Sequence, residues 1–515
     1  MALPRATTGP GSSWGVTLGF GVVAAVLYAV TWQDALHGLD WRFMVLWYED
    51  GYVHPQHPGY LLAAHVLGWL LVPFGLSTFD LLAALSVLGG ATAVAGLHRI
   101  ASVASADVGI ADASETGVAA RWLPCWFAGL GMLTPAVWHH STVVELHAPF
   151  LAVVVWAALP LVRWARSPAY GQVVLLGVLT AIAALMHATG QLLVPVALVA
   201  LVFSRVRGGA AAPSWPRVGG AFCAFLVAHG VTFATLFALV RGLGPLPPAA
   251  LAVPGAPGLE FADNPAGYLL NALGGSDVFA QFWPTMRREW LEPFAPWSVL
   301  VLIALALRAT RRAAASFAIL LLGYLLVAVV LLRAQVDERG AYLLPLLGPA
   351  VWLALRFATT IPLRCALLLF TLLAGVAWRG EPGRLPPDHA FGRAALTLDE
   401  VRPTAFFVAG YPEMDGALRA DPRLDVDVAL RAWGELRALG GDAAFEPNEA
   451  QIAAWLQLLA TSAGERGRRF LITDRAVEWL GERVPTFASG FEAFVVAADA
   501  KRVSAAAGVG GYLIE

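Results

Sequence analysis

The chain has 515 residues, 58% hydrophobic and only 14% charged, with a net charge of −2. Soluble domains carry about 25% charged residues, so the composition points to an integral membrane protein, and the charge balance argues against a nucleic-acid partner. Its three cysteines, Cys125, Cys223 and Cys365, lie in apolar runs and have neither disulfide-framework nor metal-site spacing.

Residues 1–13 are polar and read as a short tail. The first apolar run, 14–32, has no small-residue cleavage site and reads as an anchor span. An acidic stretch, 40–60, follows directly: DWRFMVLWYEDGYVHPQHPGY. Residues 60–76 are apolar again but short for a span. Further runs lie at 79–97, 122–137, 148–162, 172–186, 192–203, 218–240, 296–307, 314–332, 341–355 and 362–378. A bilayer crossing needs about 20 apolar residues.

Topology turns on 60–76. If that segment does not span, loops 98–121, 163–170, 204–217, 308–312 and 356–364 are cytoplasmic. They are rich in arginine and hold few acids (Asp107, Asp112 and Glu115). The opposite side then collects Asp40, Glu49, Asp50, Glu145, Glu289, Asp337 and Glu338 among others, as the positive-inside rule requires. The expectation is therefore eleven spans plus one non-spanning segment in the first external loop, with a cytoplasmic N-terminus. Arginine and alanine bias, with Lys501 the sole lysine, matches a GC-rich bacterial coding sequence. That places the protein in the plasma (inner) membrane.

Two external loops stand out: the long, Pro- and Gly-rich 241–296, and the short RAQVDERG at 333–340. After residue 378 charge rises and apolar runs shorten, which predicts a membrane domain at 1–378 and an extracytoplasmic α/β domain at 379–515. In the latter, 404–411, 469–474 and 491–499 read as strands, and 429–439 and 448–463 as helices. Asp474 follows a buried-type strand and either sits at a ligand crevice or, the preferred reading, caps a helix beginning near Arg475. The fold class is thus an α-helical polytopic membrane protein with a small C-terminal α/β domain.

The groups that can carry chemistry cluster at external span ends. Asp40 lies among Leu39, Trp41 and Phe43, a partly desolvating setting that tunes a carboxylate toward proton uptake. Glu49 and Asp50 are secondary candidates. Glu145, in TPAVWHHSTVVELHAPF, faces a cavity or is an interfacial helix-end charge. A helix through this stretch would put His139, Val143 and Leu146 on one face and Glu145 with Thr142 on another. His54 and His57 sit in HPQHP, where each proline holds the preceding residue extended. H-x-x-H is weak evidence for a metal, and the preferred reading is a turn whose imidazoles contact phosphate. Arg339 suits phosphate oxygens, or pairs with Asp337 or Glu338. His187, in ALMHATGQLLVP, either lines the same cavity or caps a helix.

The order of these motifs is a span, an acidic loop, HPQHPGYLL, W…VVELHA, MHATGQLLVP and ERGAYLLPL. Over about 14–378 it resembles the C-type glycosyltransferase superfamily, and most of all the branch related to protein O-mannosyltransferases. The resemblance implies a multi-span enzyme that uses polyprenyl-phosphate-linked sugars outside the cytoplasm. It implies a first-loop acid as base, which falls on Asp40; the family's glutamate three residues later is Phe43 here. The W…E motif falls on Trp138 and Glu145. The family's Arg-Tyr before a Leu-Pro run is spread here as Arg339 and Tyr342, which implies phosphate binding. Glu145 would orient the acceptor or hold a divalent cation. The expected function is inverting transfer of a sugar from the lipid-linked donor to a hydroxyl of a protein, lipid or polysaccharide, with membrane lipid around it. The alternatives are a transporter or flippase, which would show paired repeats and charges deep in spans, and a catalytically silent envelope scaffold.

Overall fold

The computed structural model describes residues 14–32, 44, 48, 57–76, 78–105, 122–207, 213–244, 287–295, 298, 340–348, 351, 355, 360–379, 395, 397–399, 402–409, 424–429, 447–482, 484–505 and 509–515. These fall into two compact units, one within residues 14–379 and one within 395–515.

The first unit is helical. Its elements are α1 (Trp14–Val30), α2 (Pro58–Leu71), α3 (Thr78–Ser105), α4 (Leu123–Leu133), α5 (Pro135–His140), α6 (His147–Arg166), α7 (Tyr170–Met186), α8 (Leu193–Arg207), α9 (Trp215–Leu243) and α10 (Ile361–Arg379). α3 is the hub, packed on α1, α4 and α6, while α7 packs on α6 and α9. α1 shows why such helices suit lipid. Leu18, Val22, Val26 and Val30 lie four residues apart on an exposed apolar stripe, and Thr17, Ala24 and Tyr28 turn inward. Four of the described helices, at Asp80–Ala104, His147–Trp164, Trp215–Leu243 and Ile361–Trp378, are long and apolar enough to cross a membrane. The first two are mostly buried, and the last two leave most of their apolar surface uncovered.

Several expected runs differ in detail. The run at 122–137 breaks between α4 and α5, where Pro135 starts a new helix and Thr134 turns extended. Residues 60–76 form α2 and a short 3-10 turn, Val72–Phe74, whose end exposes Trp69, Leu70, Val72 and Phe74. The start of the run at 341–355 is a 3-10 turn, Ala341–Leu346, that contains Pro345. The runs at 296–307 and 314–332 lie outside the described residues, apart from Ser298.

The second unit holds a five-stranded sheet of order β2-β1-β3-β5-β4, made from β1 (Thr404–Val408), β2 (Asp425–Val428), β3 (Arg469–Thr473), β4 (Lys501–Ala505) and β5 (Val509–Ile514). β1 runs parallel to β2 and β3, and β5 runs antiparallel to β3 and β4. α11 (Glu449–Glu465), α12 (Asp474–Gly481) and α13 (Phe487–Ala497) complete the unit. Trp455 of α11 and Phe487, Phe491 and Phe494 of α13 share a core with Phe407, Phe470 and Ile472 of the sheet. Asn448 and Gln451 form a reciprocal capping box at the start of α11.

Two expectations are corrected in this unit. Residues 491–499 are not a strand: the phenylalanines at 487, 491 and 494 recur at helical spacing and bury one face of α13. The cap of α12 is Thr473, whose Oγ1 accepts from the Ala476 N–H, and not Asp474. Asp474 instead pairs with Arg502 of β4, which stacks over Tyr512 of β5. Of the helix expected at 429–439, only Ala429 lies within the described residues.

Candidate functional site

The HPGY segment builds one wall of a buried polar cluster. Pro58 starts α2 with its fixed φ, and His57 stands just before it. A Cβ on Gly59 would lie 2.9 Å from the Leu185 carbonyl carbon and 3.0 Å from Met186 N. Only glycine lets α2 meet the end of α7 this closely. That approach brings the His57 ring onto His187, with centroids 4.8 Å apart and planes 28° apart. Tyr60, one turn on, is fully buried, and its hydroxyl has no hydrogen-bond partner among the described residues. Burial, and then the Glu145 charge, raises its pKa well above the ordinary phenol value.

Glu145 forms the second wall. It lies on a non-helical link between α5 and α6, which corrects the helical-face expectation for this stretch. Ser141 Oγ bonds back to the Val137 carbonyl and Thr142 Oγ1 to those of Trp138 and His139, which closes α5 early. Ser86 of α3 then holds the link from both sides. Its Oγ donates to the Glu145 carbonyl at 2.9 Å and lies 3.2 Å from the Glu145 N–H, which donates to it. The carboxylate is buried, with Oε2 3.7 Å from Nε2 of His147, the first residue of α6. Trp138, the tryptophan of the W…E pair, anchors α5 by donating from Nε1 to Thr31 Oγ1 at 2.8 Å.

The third wall is the turn after α7. His187 is buried between the rings of His57, His147 and Phe150, the last two at 5.4 and 5.2 Å. His147 also meets His140 edge-on at 5.2 Å, and His140 meets His139 at 5.0 Å. Five imidazoles therefore run in file, His57–His187–His147–His140–His139, with Glu145 beside the middle one. Burial, and then His147, holds the His187 pKa well below the usual 6.5. His187 is thus neutral in the fold and free to protonate when unfolded. Its contribution to stability is complete above about pH 6.5 and is lost as pH falls below that value, by about 1.4 kcal/mol per unit. Replacing His187 with Asn should flatten the fall in apparent unfolding temperature between pH 7.5 and 5; an unchanged slope would contradict this.

Of the residues anticipated as a site, the structure brings His57, Glu145 and His187 together. Asp40, Glu49, Asp50, His54 and Arg339 lie outside the described residues, as does the side chain of Tyr342. The backbone around Tyr342 packs on α5 and α6. There Gly340 N–H donates to the buried Glu289 carboxylate at 2.6 Å, and Pro293 accepts from Ala136 N–H of α5 at 2.9 Å. Tyr60, His139, His140 and His147 were not anticipated. Their signal lay in three spacings: Tyr60 three residues after His57, the His139–His140 pair, and Glu145-x-His147. Among the described residues no three His, Cys, Asp or Glu side chains converge as metal ligands. The arrangement offers a fixed carboxylate and a row of imidazole donors and acceptors in a site shielded from water.

No known family profile and no curated protein matches the sequence. Among solved structures the chain is similar to the crystal structure of ArnT from Cupriavidus metallidurans bound to undecaprenyl phosphate. The TM-score is 0.57 at 14% identity, over 97% of this chain and 98% of that one. The likeness is one of fold: a mostly helical, polytopic membrane architecture that runs through nearly the whole of both chains.

Proposed function

We propose that the protein is a membrane glycosyltransferase of the C-type superfamily. It moves a sugar from a polyprenyl-phosphate donor to an acceptor hydroxyl on the extracytoplasmic face of the inner membrane. One observation carries this reading. His57, Glu145 and His187 come from three separate segments and meet in one buried cluster, within the fold of a protein solved with undecaprenyl phosphate. The exposed apolar end of α2 supports the first-loop segment as a helix that lies at the membrane surface.

In this reading Asp40 takes the proton of the acceptor hydroxyl as its oxygen attacks the anomeric carbon. The bond from that carbon to the phosphate oxygen breaks on the opposite face, and configuration inverts. Glu145, with Glu49 or Asp50 as secondary acids, orients the acceptor. Arg339, Tyr342, His54, His57 and His187 hold the phosphate and stabilise the charge that builds on it. The C-terminal unit stands outside the cytoplasm and guides the acceptor, and the mannosyltransferase branch supplies the first sugar to try. Asp40→Asn in the purified protein tests the mechanism. Transfer should fall by about 10²–10⁴-fold with donor binding kept. Full transfer by a folded variant removes Asp40 from the reaction.

A further inference from the structure

The turn after α7 does more than end a helix. Nδ1 of His187 accepts from the Thr189 backbone N–H at 3.1 Å, and Thr189 Oγ1 lies 2.6 Å from the same nitrogen. A backbone N–H only donates, so Nδ1 presents its lone pair and the neutral ring carries its proton on Nε2. The ring is neutral because burial disfavours its charged form. Gly190 N–H closes the turn on the His187 carbonyl at 2.8 Å, and the His187 N–H continues the α7 ladder to Ala183 at 3.0 Å. Backbone and ring are therefore fixed together. Nε2 lies across the ring from Thr189, on a side chain packed among His57, His147 and Phe150.

We propose that His187 serves as a neutral Nε2–H donor to a phosphate oxygen of the lipid-linked sugar, with the Thr189 turn as the device that fixes its tautomer. This deepens the transferase reading and rests on it. No proton changes hands at His187. The Nε2–H bond stays intact while the anomeric carbon–oxygen bond breaks and its electron pair passes to the phosphate oxygen. A neutral donor sets the direction of the phosphate without cancelling its charge.

Two substitutions separate this role from capping. Asparagine places an acceptor oxygen near the position of Nδ1 and keeps the cap, but it has no donor at Nε2. Glutamine places an amide N–H near Nε2 and caps poorly. The full-length protein in nanodiscs is titrated with polyprenyl phosphate without sugar, and then with the sugar-loaded lipid. The expected result for His187→Asn is binding of the bare phosphate weakened by about 10- to 100-fold, the loss of one charge-assisted hydrogen bond. His187→Gln should stay close to wild type, and ¹⁵N NMR should show His187 protonated on Nε2. The opposite ranking, with Asn tight and Gln weak, makes His187 a cap and overturns the proposal, as does a proton on Nδ1. Weakening confined to the sugar-loaded lipid moves the donor to a sugar hydroxyl and overturns the phosphate assignment. If the wild type neither binds the lipid phosphate nor transfers sugar, the transferase reading falls with it.

Discussion

Glu145→Gln should lower turnover by about 10²-fold, the loss expected when an acceptor slips out of line, while the apparent unfolding temperature stays close to wild type. Glutamine has the length of glutamate, and the Ser86 contacts that hold residue 145 are to its backbone, so the link between α5 and α6 keeps its path. What disappears is the buried negative charge beside His147. A carboxylate at this depth is costly to bury, and the substitution relieves that cost, so stability has no reason to fall. Steady-state transfer with a lipid-linked sugar, read beside a thermal shift, makes the comparison. A folded Glu145→Gln protein with normal turnover would mark Glu145 as a helix-entry charge and nothing more.

The second large effect is on the fold. Gly190→Ala should destabilise the membrane unit by about 3 kcal/mol. The new methyl would stand 2.3 Å from the Ala183 carbonyl oxygen and 2.4 Å from its carbon. Both are backbone atoms of α7, and no side chain can move aside to make room. The turn that holds His187 must open or α7 must lose its last turn. Gly230→Ala, on α9, is the control. Nothing lies within 4 Å of its added methyl, and alanine is the better helix former by about 1 kcal/mol. Unfolding temperatures in detergent should separate the two variants clearly. Equal behaviour would mean that the turn does not depend on glycine.

Much of the membrane unit was legible in its apolar runs, because length and hydropathy are set by the bilayer and not by tertiary detail. The motifs singled out His57, Glu145 and His187 one by one, each in its own stretch of chain. Their convergence was not legible. It depends on α5 stopping at His140, and that stop comes from hydroxyls turning back onto carbonyls and from the β-branched run Thr142, Val143 and Val144. A helical wheel drawn through the same residues sets Glu145 apart from His139. The file of imidazoles stayed hidden for the same reason, since its members are joined by packing across four separate segments. In the C-terminal unit β1 and β3 declared themselves as compact apolar runs. β4 and β5 did not: KRVSA is largely polar and VGGYLI carries two glycines, and β5 is made a strand by pairing with β3, and β4 by pairing with β5. The phenylalanines of α13 misled because an apolar run of that length fits either period.

In the proposed function a lipid phosphate is handled at the buried cluster of His57, Glu145 and His187. The most direct measurement is a cryo-EM map of the protein with polyprenyl phosphate bound in nanodiscs. The phosphate should lie about 3 Å from Nε2 of His187, at the His57 end of the imidazole file, in the cluster that holds Glu145. A phosphate seated away from all three residues, for example against the uncovered apolar faces of α9 or α10, would take the cluster out of lipid-phosphate handling.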